Sequence, residues 1–396
     1  MKYKILYMPC FVYSIAFSFI LILYQIGWSD LYPELHGFLL FFLLGTCVIS
    51  FILALIQSKT LELPISDIKL SEKFIKRSLI FIITGNFLEF AYERTIPIIS
   101  TLINPNFDYH DYNGIPTFHV ILSTFNIFFC ILLFDYFLST KNRKHLYNFI
   151  LTLFFFVLVM NRGAFMIVFT AIIFIYLAKT KSINIKNILK SAAILGIVLY
   201  FFGVIGNIRQ TQTKTEKTYV LRIAGATDKF LESGVPQEFY WSYIYLISPI
   251  GNLQNIVDHK ADVFDTKNIG FFTATELLPD FISKRVSSIF DYDEIIKKDL
   301  GSRYLVTINL NAPTVYYNSY LNLGSAGMYI MYFIMMMAAV FYPKILNRIN
   351  NPYYLSAVAS LNSILFLSMF NNMWFNIGTV LLWPIILDVF RRLRFS

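Results

Sequence analysis

The stretch Leu158-Val159-Met160-Asn161-Arg162-Gly163-Ala164-Phe165-Met166 puts one arginine inside a 32-residue apolar run, 146–177. A single membrane-spanning helix needs about 20 apolar residues, so the run is too long for one span. An arginine at mid-bilayer costs roughly 2.5–3.5 kcal/mol even on lenient insertion scales. Lys141, Arg143 and Lys144 flank one end of the run, and Lys179, Lys181, Lys186 and Lys190 flank the other. Cytoplasmic loops collect Lys and Arg, so both ends read as cytoplasmic and an even number of crossings must lie between them. The run therefore reads as two short helices with Asn161-Arg162-Gly163 as their outer turn, where Gly163 would permit a tight turn and close ligand approach.

Outward from this hairpin, apolar runs of spanning length lie near 5–25, 37–57, 78–92, 117–138, 191–206, 318–342, 353–370 and 374–390. With the hairpin split, every inner segment is basic: Lys2/Lys4, the Lys59 to Arg77 loop, the two hairpin flanks, Lys344/Arg348 and the tail Arg391-Arg392-Leu393-Arg394. The expected fold is all-α, a polytopic helical membrane protein of about ten spans with both termini cytoplasmic. Its parts would be transmembrane helices 1–7 over 1–206, an extracytoplasmic loop domain over 207–316, and helices 8–10 over 317–396. The apolar run after Lys2 and Lys4 lacks a small-x-small cleavage pattern, so it reads as a retained first span.

Composition agrees. Of 396 residues 57% are hydrophobic and 14% charged, with 41 Phe and 26 Tyr, and the mean hydropathy is +0.59; an ordinary soluble globule is excluded. The net charge of +9 is explained by the inner loops, so no nucleic-acid partner is implied. The long outer loop is balanced, with 12 Lys/Arg against 13 Asp/Glu. Within it, Tyr240 to Ile247 is too short to span, and its aromatic richness suits a helix lying at the lipid–water boundary. Cys10, Cys47 and Cys130 all fall in apolar runs, and no disulfide framework or thiolate metal site follows.

No P-loop, GxGxxG, HExxH, GxSxG or CxxC pattern occurs, and no cofactor or metal site is expected. Asp291-Tyr292-Asp293 has the Asp-x-Asp spacing of metal-dependent sugar transferases, but on the outer side two acids in a charged loop are the plainer reading. Ionisable residues in or at the edge of spans carry more information. Asp135 lies near the inner headgroups, and Glu93 with Arg94 marks the outer end of the third span. Glu89 sits one turn deeper and needs an internal partner, so structural pairing with an arginine stands beside a catalytic role. His119 opens the fourth span and could accept a proton near neutral pH, or serve only as a hydrogen-bonded helix start. The outer arginines are Arg94, Arg162, Arg209, Arg222, Arg285 and Arg303. Arg162 and Arg209 face outward at one membrane depth, and a guanidinium fork binds phosphate oxygens bidentately; anchoring to lipid headgroups is the alternative.

Together, several segments resemble the membrane oligosaccharide-repeat-unit polymerases, the O-antigen polymerase (Wzy-type) group. They are Glu89 followed by Thr95-Ile96-Pro97-Ile98; Asn113-Gly114-Ile115-Pro116-Thr117-Phe118-His119; Asn161-Arg162-Gly163; Ser248-Pro249-Ile250-Gly251-Asn252-Leu253; and Asn318 to Gly327. The last also resembles a span entry of O-antigen ligases, but Tyr317-Asn318 stands where ligases carry His-Asn, which weighs against a ligase. The resemblance implies a GT-C-like fold in the bacterial inner membrane and an inverting, metal-independent glycosyl transfer on the periplasmic face. The donor and acceptor would be undecaprenyl-diphosphate-linked oligosaccharides, and the partners membrane lipid and a chain-length regulator protein. Glu89 and His119 are the expected catalytic acid–base residues, and Arg162, Arg209, Arg222 and Arg303 the expected diphosphate-binding ones. A lipid-linked oligosaccharide flippase is disfavoured by the single long loop and the lack of a half-to-half repeat, and a non-enzymatic organising subunit by the outward arginines.

Overall fold

The computed structural model describes residues 4–61, 68–104, 107–108, 112–180, 196–197, 199–200, 203–204, 219–290, 292, 301–307 and 310–393. Most of the expected seventh span, together with Arg209, Asp291, Asp293 and the lysines at 181, 186 and 190, lies outside these residues. Among the described residues the chain is helical with no strand, apart from one isolated bridge between Ser29 and Ala226.

The helices are α1 (Pro9–Gln25), α2 (Gly37–Thr60), α3 (Glu72–Glu93), α4 (Pro97–Ile103), α5 (Phe118–Thr140), α6 (Arg143–Leu158), α7 (Arg162–Lys179), α8 (Tyr219–Ile223), α9 (Asp228–Leu231), α10 (Glu238–His259), α11 (Asp280–Ile289), α12 (Tyr317–Arg348), α13 (Tyr354–Leu367), α14 (Met373–Ile377) and α15 (Trp383–Leu393). Five described segments are long and apolar enough to cross a membrane: α2, α5, α7, α12 and the α14–α15 stretch Met373–Leu393. The protein is thus a helical membrane protein. Many large apolar side chains of these segments face outward, among them Phe41, Val48, Phe169 and Phe333, as a lipid-facing surface requires.

The 146–177 run does divide. Asn142 and Asn161 accept hydrogen bonds from Lys144 N and Ala164 N and so cap α6 and α7, each cap worth about 1 kcal/mol. Between the helices, Met160 takes the left-handed conformation at φ 58°. The role expected for Gly163 is therefore corrected. It is the second residue of α7, and a Cβ there would meet only ordinary contacts at 3.7 Å and beyond.

At the centre stands α13, in which all residues but Phe366 are buried. Its Ala and Ser positions let α1, α5 and α7 approach closely, since small residues bring helix backbones together where lipid supplies no hydrophobic drive. Polar groups in this interior find fixed partners: Tyr7 donates to Leu355 O at 2.9 Å, Asn362 to Tyr7 O at 3.1 Å, and Gln57 to Ala339 O at 2.8 Å. α12 breaks at Gly324 (φ 62°, ψ −151°), where Asp262 accepts from Ser325 N at 2.7 Å.

The aromatic stretch of the long loop also departs from expectation. It belongs to the 22-residue α10, whose Tyr240, Ile244, Ile247, Ile250, Leu253 and Ile256 join the hydrophobic core with α1 and α12. Tyr240 donates to Ala224 O and Tyr243 accepts from Trp28 N. Protein partners for the phenol groups remove the reason for these rings to sit at a wet boundary.

Candidate functional site

α3 runs from its Ser71 cap to Glu93 and stops because Arg94 turns left-handed at φ 54°. Glu89, one turn before that stop, is buried at 1% side-chain exposure. The chain returns through Tyr112 to Thr117 and enters α5, whose first turn carries His119. Glu89 Oε2 and His119 Nδ1 lie 2.8 Å apart, and the histidine is 24% exposed. The carboxylate is thus buried, while the ring keeps part of its surface open.

Gly114 (φ +65°) lies directly against this pair. A Cβ built on it would come within 2.7 Å of His119 Nδ1 and 2.8 Å of Glu89 Oε1, so glycine is required by both dihedral and space. The edge of Tyr112 packs on His119 with ring centroids 6.0 Å apart. The two expected catalytic residues, thirty positions apart in the chain, are thus brought together, and Tyr112 and Gly114 from the connection between them pack against the pair.

A recess leads into the pair, walled by α3, α5 and the α6–α7 hairpin through Asn86, Asn126, Phe155, Phe156, Val159 and Asn161. Glu89 Oε1 and Asn126 Oδ1 are buried there without a hydrogen-bond partner among the described residues. Two buried acceptors call for a hydroxyl or water donor. Arg162 directly follows Asn161 at the start of α7 and is exposed, so the hairpin adjoins the recess through its capping residue.

The other expected arginines are spread out. Arg222 is exposed on α8, 5.9 Å from the centroid of the Tyr219 ring. Arg303 is exposed on the short turn Ser302–Tyr304, beside which Gly301 O accepts from Tyr317 OH. Arg94 is exposed at the end of α3.

Two residues of the long loop were left out by sequence reasoning, one beside the pair and one a separate buried acid. Arg285, on α11, donates from Nη2 to Thr117 Oγ1, at the residue before α5. Glu276 lies in a π-helical turn, Thr273–Leu277, and is 4% exposed. Its backbone carbonyl and Oε2 accept from Asn372 Nδ2 at 2.9 and 3.1 Å. Burial pushes its carboxyl up to about 7, against the opposing pull of hydrogen bonds to Asn372, Thr275 and Asn318. Asn372 in turn caps α14 through Phe375 N. The lone acid in Phe271-Phe272-Thr273-Ala274-Thr275-Glu276-Leu277-Leu278 was the available signal, since an acid among apolar neighbours needs a partner. Nothing in the sequence singles out Arg285 from the other loop arginines.

Chemically, a carboxylate on Nδ1 holds the imidazole in one tautomer. With the Nδ1 hydrogen donated to Glu89, Nε2 presents its lone pair and can accept a proton, and Glu89 stabilises the imidazolium that results. Compared with protein-family models, with curated proteins and with solved structures, the chain matches none.

Proposed function

We propose that this protein is an inner-membrane glycosyltransferase of the O-antigen polymerase type. It would join oligosaccharide repeat units carried on a polyprenyl diphosphate, with about ten spans in a GT-C-like arrangement and its active site on the periplasmic face. The observation that carries the reading is the Glu89–His119 pair, which lines a recess together with Asn161, the residue before Arg162. The pair sits at the outer end of α3 and the start of α5, whereas Lys141, Arg143, Lys144 and Lys179 cluster at the opposite helix ends. By the positive-inside rule the basic ends are cytoplasmic, so the pair faces outward.

In this mechanism His119 Nε2 takes the proton of the acceptor sugar hydroxyl as that oxygen attacks the anomeric carbon of the donor. The bond to the diphosphate breaks with inversion. The leaving group is weakly basic and requires charge stabilisation more than protonation, which arginine supplies. Glu89 orients the imidazole and balances its charge during transfer.

The test is a gel of surface glycan from a deletion strain complemented with wild type, His119→Ala or Arg162→Ala, with membrane levels of each variant checked. Wild type restores a long ladder, and His119→Ala leaves single-repeat glycan because loss of a general base lowers the rate about 10²- to 10⁴-fold. If deletion removes even the single repeat, the protein is a ligase; if undecorated lipid-linked repeats collect on the cytoplasmic face, it is a flippase. A normal ladder from His119→Ala removes the acid–base assignment.

A further inference from the structure

We infer that Arg285 is the arginine that binds the donor's diphosphate at the Glu89–His119 pair, an inference that rests on the function proposed above. The sequence reading favours Arg162, Arg209, Arg222 and Arg303 among the outer arginines and leaves Arg285 out. In Arg285 a direct contact joins the long loop to the entry of α5: its guanidinium donates to the hydroxyl of Thr117, two residues from His119.

That contact has a local consequence. Threonine before a helix commonly turns its oxygen onto the first-turn amides, but Thr117 makes no such cap bond and has φ 69°, ψ −46°. Its hydroxyl serves the arginine instead. The guanidinium is thereby set over the positive end of a 23-residue helix, where cation and helix dipole both favour an anion. A guanidinium has five donors in a planar fork, a geometry matched to phosphate oxygens.

α11 is built to hold this position. Ser283 and Ser287 are buried on one face, and Tyr292 N donates to Ser287 O. Lys284 pairs with Asp280 at 2.9 Å along the exposed face. The helix end carries Ile289 and Phe290 at 74% and 61% exposure, an apolar edge suited to the lipid surface from which a polyprenyl carrier arrives. Sugar at His119, diphosphate at Arg285 and lipid at the apolar helix end would then follow the order in which the donor itself is built.

The experiment measures binding of farnesyl diphosphate to the purified full chain in detergent, with inorganic diphosphate and phosphatidylglycerol as competitors. Wild type should bind, and inorganic diphosphate should compete while phosphatidylglycerol does not. Arg285→Gln should weaken binding about ten- to hundredfold, the range for a charge-assisted hydrogen bond, and Arg285→Lys should weaken it less. Thr117→Val, which keeps the cation but frees it from its anchor, should fall between wild type and Arg285→Gln and serves if Arg285→Gln does not fold. Unchanged affinity in Arg285→Gln with loss in Arg162→Ala overturns this inference and leaves the proposed function standing. Equal competition by phosphatidylglycerol overturns it as headgroup anchoring. Absence of farnesyl diphosphate binding to wild type, with the ladder assay intact, overturns the inference alone; absence of both removes the proposed function as well.

Discussion

The two ends of the helix bundle treat buried carboxylates in opposite ways. At the lysine-rich end, Asp135 meets Lys179 Nζ at 2.5 Å and accepts from Ser356 at 2.9 Å, while Asp388 is gripped by Arg391 and Arg392. At the other end, Glu89 meets only His119 among the ion pairs of the described residues, and Glu276 is held by the amide of Asn372. Lysine and arginine stay charged at physiological pH, so they neutralise an acid permanently. Histidine and amides do not. The first arrangement serves stability, and the second leaves protons able to move.

The largest effect expected from this contrast is at the basic end. Lys179→Ala should destabilise the protein by about 3–5 kcal/mol, because it strands a buried charge. Thermal melts in detergent would show it. The pair Asp135→Asn with Lys179→Met should recover most of the loss and keep the proposed activity per folded molecule. Activity lost in the stable double variant would place Asp135 in the chemistry and break the comparison.

Next comes Glu276. Its carboxyl is raised from 4.5 to about 7, so between those values the folded chain holds a proton that the unfolded chain has released. Stability therefore falls as pH rises through that window and is level on either side. The full change is on the order of 3 kcal/mol. Melting at about pH 5 and about pH 8 should show this loss in wild type and a flat response in Glu276→Gln, and the same slope in both would mean that Glu276 is not its source.

The smallest stability effects sharpen the comparison most. Gly114→Ala should cost about 1–3 kcal/mol for a side chain at positive φ, yet should largely abolish the ladder by pushing His119 from Glu89. Gly163→Ala, in a helix with room for a methyl group, should leave both stability and ladder near wild type. Equal behaviour of the two variants would show that the close approach of Gly114 has no role in positioning the pair.

The hairpin at Asn161-Arg162 was legible because its evidence is local: one long apolar run with lysines at both ends. Glu89 and His119 were legible one at a time, as ionisable residues at the edges of spans, though nothing in their spacing made them partners. The turn residue was misread. Asn161 caps the second helix and Met160 takes the left-handed backbone, so Gly163 had no turn left to make. α10 was misread too, because aromatic residues suit a lipid boundary and a protein core equally well.

Hydropathy and charge, summed along the chain, were enough to determine a helical membrane protein, its basic ends and the division of its longest apolar run. The solvent alone dictates these, through the transfer cost of each residue. Which polar group meets which partner was decided only by tertiary structure: Glu89 with His119, Glu276 with Asn372, Arg285 with Thr117, Asp135 with Lys179. Helices apolar around most of their circumference carry no stripe to say which face meets which neighbour. That choice depends on packing between segments far apart in the chain, and in this protein the candidate chemistry resides there.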